Sequence, residues 1–351
     1  MFAKKNLIAV AALATLAVSA QAQSSVTLYG NVDAGLAYSK TKQGGVSNST
    51  TSVESSVLTD SFFGLKGQED LGGGLKAVFK LESSINVDTG SQATGNFFGK
   101  NAYVGLAGDF GTVKLGNQES LFKNEAAAFD AFGSSRVLSV STNLFTGISG
   151  LGGSWQNTIG YTSPSFSGLT LSAQHSAREG NTGASAVTVN GGATAVAANY
   201  TAGALGLSAV IGDVRSTNAT AAAEQQKAWL LGASYDFGVA KAFAQYGQNK
   251  FEDAAGADNG KAKFFQLGAV VPVTQAGSVH ASYGQVKVED IKARQFSLAY
   301  HHTLSKRTSV YAGVTYIKDD ILGRVVAEEL AIPYAGETKT TAVAVGLRHA
   351  F

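Results

Sequence analysis

Val26-Thr27-Leu28-Tyr29-Gly30-Asn31-Val32-Asp33-Ala34-Gly35-Leu36-Ala37-Tyr38 is the stretch that decides the fold. Val26, Leu28, Val32, Ala34, Leu36 and Tyr38 share one parity, while Thr27, Tyr29, Asn31 and Asp33 share the other. Side chains that alternate with period two belong to a strand with one apolar and one polar face. The same pattern returns in Leu75, Ala77, Phe79 and Leu81 against Lys76, Lys80 and Glu82, and in Trp229, Leu231, Ala233, Tyr235 and Phe237. It is seen again in Leu169, Leu171 and Ala173 and in Phe296, Leu298 and Tyr300, and no helical stripe with start and stop signals competes with it.

About sixteen such segments follow one another, each near the roughly 9 to 11 residues that a tilted membrane strand needs. They cover 26–38, 61–70, 75–85, 101–109, 112–119, 156–164, 169–177 and 193–202. The remainder cover 206–215, 227–237, 240–249, 262–273, 278–288, 293–303, 309–318 and 340–351. Tight turns such as Leu71-Gly72-Gly73-Gly74, Asp109-Phe110-Gly111 and Phe237-Gly238-Val239 alternate with long polar connections at 39–60, 178–192, 216–226 and 319–339. Long loops gathered at one end and tight turns at the other describe an outer-membrane barrel. The expected fold is therefore all-β, a transmembrane antiparallel barrel of about sixteen strands, too wide for side chains to fill and so enclosing water. Tyr38, Phe237, Tyr300 and Tyr316, near segment ends, suit the aromatic girdles of such a barrel.

Composition agrees. The 351 residues include no Cys, three Pro and 42 Gly, which excludes a disulfide scaffold, a thiolate metal site and a cysteine nucleophile. At the N-terminus Lys4 and Lys5 precede an apolar run from Leu7 to Val18 that ends at Ala20-Gln21-Ala22. This is the pattern of a secretory signal peptide over residues 1–22, which leaves 23–351 as the barrel domain. Loss of Lys4 and Lys5 reduces 27 basic residues to 25, equal to the 25 acidic ones. A neutral mature chain gives no electrostatic basis for a nucleic-acid partner.

The residues also argue against chemistry. The five histidines, His175, His280, His301, His302 and His349, have no metal-ligand spacing, and no phosphate-binding glycine loop is present. No cofactor or metal is expected, and nothing beyond residue presence supports a catalytic triad. A passive barrel with a plugged lumen and adhesive loops, or a sugar- or organic-anion-specific channel, are the alternatives to general diffusion. A sugar channel would want a file of lumen aromatics, whereas most Phe and Tyr here share the outward parity.

Several stretches stand out: Ser25-Val26-Thr27-Leu28-Tyr29-Gly30, Phe63-Gly64-Leu65-Lys66-Gly67 with Glu69-Asp70-Leu71-Gly72-Gly73-Gly74, and Ala102-Tyr103-Val104-Gly105-Leu106. Tyr161-Thr162-Ser163-Pro164 and the closing Gly346-Leu347-Arg348-His349-Ala350-Phe351 join them. In these stretches the chain resembles the trimeric general porins of Gram-negative outer membranes, particularly their beta-proteobacterial branch, and the likeness extends over essentially the whole mature length. The resemblance implies a water-filled channel for small hydrophilic solutes and inorganic ions, with weak to moderate anion preference. It also implies a homotrimer, surrounded by outer-membrane lipid and lipopolysaccharide, with Phe351 as the signal read by the barrel-insertion machinery. The connection 120–155 is implied to fold into the lumen as a constriction loop carrying Glu125, Asp130 and Arg136, with Glu119 at its root. Facing it would be the pore-lining basic residues Lys66, Lys80, Lys114 and Arg348, which parity places opposite the apolar face, and Lys100. Strict parity sets Lys100 outward with Ala102. The family pattern has arginine where this chain has Phe62, Lys100, Asn117 and Ser154, which thins the basic ladder.

Overall fold

The computed structural model describes residues 25–146, 150–177, 192–216, 224–253, 256–320 and 336–351. The expected signal peptide lies outside them. In chain order the strands are β1 (Ser25–Gln43), β2 (Val46–Ser55), β3 (Phe62–Gly72), β4 (Leu75–Asn86), β5 (Ser91–Gln92), β6 (Asn101–Gly108) and β7 (Gly111–Glu119). After a long connection come β8 (Ser154–Thr162), β9 (Leu169–Ser176), β10 (Ala193–Ala202), β11 (Leu205–Ser216), β12 (Glu224–Asp236) and β13 (Lys241–Glu252). The last five are β14 (Asp258–Pro272), β15 (Gly277–Val288), β16 (Ile291–Thr303), β17 (Thr308–Asp319) and β18 (Thr338–Ala350).

All pairings are antiparallel. β1 pairs with β3 through Leu28↔Leu65 and with β18 through Asp33↔Arg348. That second pairing closes the sixteen-strand wall on itself. The last residue completes the seam, since Gly30 and Phe351 exchange backbone hydrogen bonds of 3.1 Å. β2 and β5 stand outside the sixteen-strand ring, as hairpin partners of β1 and β4. β16 illustrates why the wall has two faces. Ala293, Gln295 and Ser297 are 0% exposed, whereas Phe296 and Leu298, on the alternate positions, are 45% and 40% exposed. The exposed parity is the apolar one, which in a lone barrel is the surface offered to hydrocarbon.

Two features depart from the sequence reading. Residues 39–60 are not a loop: β1 runs on to Gln43 and β2 returns along it, with Lys42 opposite Ser47. Nor are all tight turns at one end. Glu289-Asp290 joins β15 to β16 at the long-loop end, and Glu289 adopts a φ of +50°. Strands extended past the membrane allow this rim to close on two residues.

The core lies inside the barrel, between the wall and the connection that follows β7. Ser120 caps the helix α1 (Leu121–Ala128), its Oγ accepting from Lys123 N at 3.1 Å. Phe122, Val140, Leu144 and Phe145 of this connection bury themselves against Val210, Leu230, Phe264 and Val286 of β11, β12, β14 and β15. Phe132 and Leu138 do the same against Phe243, Ala299 and Tyr311. Each large side chain so buried contributes roughly 1.5–3 kcal/mol. Wall polar groups hold the backbone of the connection: Gln245 Nε2 donates to Ala126 O at 2.9 Å and Gln295 Nε2 to Leu138 O at 3.2 Å. Gly232 permits the close approach, because a Cβ there would sit 2.7 Å from the Phe129 ring. The connection thus occupies the β10–β17 side of the interior and leaves open the arc formed by β3, β4, β6 and β7.

Candidate permeation site

Register fixes which side chains reach the open arc. Lys66 on β3 lies opposite Lys80 on β4, and Lys80 opposite Tyr103 on β6. Lys114 on β7 lies opposite Gly105 and Gly160, on the inward parity. Each lysine is positioned by a neighbour. Lys66 Nζ sits 4.6 Å from the centroid of Tyr29 and Lys114 Nζ 5.4 Å from that of Tyr103. Lys80 pairs with Glu82 at 2.9 Å, and Glu82 also accepts from Tyr29 Oη and Asn101 Nδ2, both at 2.6 Å. Arg348 on β18 is also inward, its Nε donating to Asn31 Oδ1 at 2.8 Å.

Lys100 is inward too, against strict parity. β6 begins only at Asn101, and the irregular backbone before it turns the lysine into the lumen. Its Nζ lies 2.6 Å from Glu119 Oε1 and 3.4 Å from Asp60 Oδ2. The three other positions where arginine was expected surround this lysine. Phe62 presents its ring 5.4 Å from Lys100 Nζ, Ser154 Oγ donates to Lys100 O at 2.8 Å, and Asn117 Nδ2 donates to Gly99 O at 3.0 Å. They shape the seat of one cation.

Sequence reading missed two members of this cluster. Lys123, one helical turn after Glu119, bridges Glu119 at 2.8 Å and Asp60 at 3.2 Å. An i, i+4 Glu-to-Lys pair is a recognisable helix signal, although here it closes a loop. Asp60 comes from the segment between β2 and β3, which Asp33 draws inward by accepting from Leu58 N and Thr59 N at 3.2 and 2.9 Å. Burial opposes the charge on Asp60, but Lys123, Lys100 and Arg136 outweigh it and hold its carboxyl below the ordinary value. Burial likewise opposes the Lys123 ammonium, and Glu119 and Asp60 overcome it, raising Lys123 to about 12.

Arg136 projects into the lumen, 47% exposed, with its Nε 3.9 Å from Asp60. Glu125 and Asp130, expected to face the wall lysines, do not. Glu125 is buried against the wall, accepting from Asn199 at 2.9 Å and Ser208 at 2.7 Å. Asp130 is buried within the connection, where Phe132 N, Ser139 Oγ and the N and Oγ of Ser141 all donate to it. Both are anchors of the loop. Their charge was legible in the sequence, but their partners lie on elements far away in the chain.

Two cavities flank the Lys100–Glu119–Lys123–Asp60 cluster. The one toward the short-turn end is about 160 Å³ and is lined by Lys80 and Lys114 with the carboxylate Glu119, Lys80 being paired with Glu82 as well. The one toward the long-loop end is about 390 Å³ and is lined by Lys100, Lys123 and Arg136 against Asp60. Both carboxylates are engaged in ion pairs. With Glu82, which pairs with Lys80, five cations stand beside three carboxylates around the two cavities.

A closed barrel of sixteen strands, apolar outside and polar and charged inside, with a loop packed into its interior, is a membrane channel of the porin class. The Gram-negative porin family matches residues 9–322, and the chain belongs to that family. Outer membrane porin protein 32 of Delftia acidovorans is 35% identical over 366 residues, covering 99% of this chain and 100% of the relative. An outer membrane porin protein of Bordetella pertussis is 31% identical, covering 99% of this chain and 100% of its own length. Among solved structures, the anion-selective porin from Comamonas acidovorans superposes with a TM-score of 0.79 at 32% identity, over 94% of this chain and 100% of that one. The chain is therefore an outer-membrane porin, a channel for passive diffusion.

Proposed function

We propose that this porin passes small hydrophilic solutes and inorganic ions with a moderate preference for anions. One observation carries the reading: the two cavities along the path are lined by five cations and two carboxylates, and cations still outnumber carboxylates when Glu82, which pairs with Lys80, is counted. Fixed charge beside a narrow aqueous passage with low-dielectric walls acts on ions at short range and outweighs the neutral balance of the mature chain. Lys66, Lys80, Lys100, Lys114 and Arg348 form the basic wall, and Lys123 and Arg136 extend it onto the constriction loop. Glu119 sets the root of that loop, while Glu125 ties it to the wall and Asp130 braces it from within.

The rest of the reading follows the family. Residues 1–22 are a signal peptide removed on export, and Phe351 is read by the barrel-insertion machinery. The mature barrel assembles as a homotrimer among lipid and lipopolysaccharide, and it acts as a channel with no catalytic role. Reversal potentials of the reconstituted protein under a potassium chloride gradient test the selectivity. A potential of anion-selective sign is expected, with Lys80→Glu lowering or inverting it. A cation-selective sign in the unsubstituted protein would overturn the reading.

A further inference from the structure

β1 changes neighbours at one point. Its first half pairs with β3 as far as Asn31↔Phe62, and its second half pairs with β2 from Ala34↔Ser55 onward. Residues 56–61, which join β2 to β3, leave the wall at this fork and fold into the lumen as a short strap. Val57 and Leu58 bury themselves against Phe132, Leu138 and Tyr311. Ser135 Oγ of the constriction loop donates to Val57 O at 2.5 Å. The strap is therefore a second inward element, clasped to the first, and it carries Asp60, the carboxylate beside Lys100, Lys123 and Arg136.

Asp33 stands in the fork and is 0% exposed. Its Oδ2 accepts from Leu58 N at 3.2 Å and Thr59 N at 2.9 Å, its O accepts from Ser56 N at 2.8 Å, and its N donates to Ser61 Oγ at 3.0 Å. Its Oδ1 accepts from Tyr311 Oη at 2.7 Å, which fixes the carboxylate against β17. Asn31, two residues earlier on the same face, donates to Thr59 Oγ1 at 2.6 Å and to Asp60 O at 3.0 Å. Ser56 adopts a φ of +61°, a conformation that a serine keeps only where its surroundings impose it. We propose that Asp33 is a positioning residue for ion selectivity: by anchoring the strap it holds Asp60 among Lys100, Lys123 and Arg136 and so limits the anion preference of the channel. The inference rests on the permeation reading above. Because both oxygens of Asp33 are engaged and the residue is buried, it acts through the strap. An amide can take over that role, since the oxygen of an asparagine can accept from both N–H groups while its nitrogen donates to Tyr311 Oη. Alanine can do neither.

Reversal potentials under a potassium chloride gradient would be compared for the unsubstituted protein, Asp33→Ala, Asp33→Asn, Asp60→Asn and the pair Asp33→Ala with Asp60→Asn, each taken as the heat-resistant folded barrel. Loss of the Asp60 charge, ~5 Å from a passing ion, should raise the anion-to-cation permeability ratio about fivefold at 0.1 M salt. Asp33→Ala should move the ratio in the same direction, Asp33→Asn should leave it unchanged, and the pair should not exceed Asp60→Asn alone. Asp33→Ser, too short to reach both N–H groups, serves the same comparison if the alanine variant does not fold. An equal rise in Asp33→Asn would mean that the Asp33 charge acts on ions directly. A further rise in the pair would mean that Asp33 acts without Asp60, and an unchanged ratio in Asp60→Asn would remove that carboxylate from the path. Each of these results overturns the proposal, and the last does not depend on any substitution in the buried fork. The permeation reading fails separately, on a cation-selective sign in the unsubstituted protein, whereas the strap is tested by changes from that starting value.

Discussion

Replacing Arg136 by glutamine removes one charge from the long-loop cavity while leaving Asp60 paired to Lys100 and Lys123. Because the guanidinium is half exposed, its loss should not disturb packing, and the effect on permeation can be worked from Coulomb's law. In a water-like medium a unit charge ~5 Å from a passing monovalent ion contributes ~0.8 kcal/mol. A Debye length of about 10 Å at 0.1 M salt reduces that to ~0.5 kcal/mol. An anion loses this attraction and a cation escapes an equal repulsion. The difference between them therefore shifts by ~1 kcal/mol, which is about a fivefold fall in the anion-to-cation permeability ratio. At 1 M salt the Debye length is about 3 Å and the fall should shrink to less than about twofold. Reversal potentials in planar bilayers at the two salt levels measure this. An unchanged ratio at low salt would place Arg136 off the ion path. An equal change at both salt levels would mean that the substitution acts by moving the loop, and the electrostatic argument would fail.

Three further outcomes are expected. Phe79, opposite Val104 on the outward face, should tolerate lysine poorly, at a cost of roughly 2–4 kcal/mol near the midplane, whereas Lys80→Phe on the lumen face should disturb folding less; equal refolding yields into lipid vesicles would contradict the facing. Gly232→Leu would drive a side chain into the Phe129 ring, lifting the loop from β12, so conductance should change while the heat-resistant folded barrel survives in detergent gels; unchanged conductance would mean that this contact does not position the constriction. The ion cluster should hold the loop between acid and alkaline limits. Asp60, lowered from 3.8, contributes stability above that value and loses it as pH falls through its depressed folded value, while Lys123, raised to about 12, contributes fully below 10.5 and loses it as pH rises through about 12. Single-channel noise recorded against pH should stay low across that window and rise on both sides, and noise that rises near neutrality would point to other groups.

The period-two alternation of Val26 to Tyr38 and of Phe296 to Tyr300 was enough to define the wall, because a strand's facing is a local property and one face meets hydrocarbon. The same rule placed Lys66, Lys80 and Lys114 in the lumen. It failed at Val46–Ser55, where a Ser- and Thr-rich strand paired above the barrel has no apolar face to announce it. It failed at Lys100, because the strand starts one residue later and parity has no meaning outside a strand. Asp60 and Lys123 stand 63 residues apart and meet only because Asp33 pulls one segment inward while β7 delivers the other. Sequence showed Glu125 and Asp130 to be acidic, and only the folded loop decided that Asn199, Ser208, Ser139 and Ser141 hold those carboxylates as anchors. Facing along a strand is set by neighbours one and two residues away, whereas the sign of the field in the channel depends on which charged groups the packed loop turns toward the path, and that is fixed by contacts between distant strands.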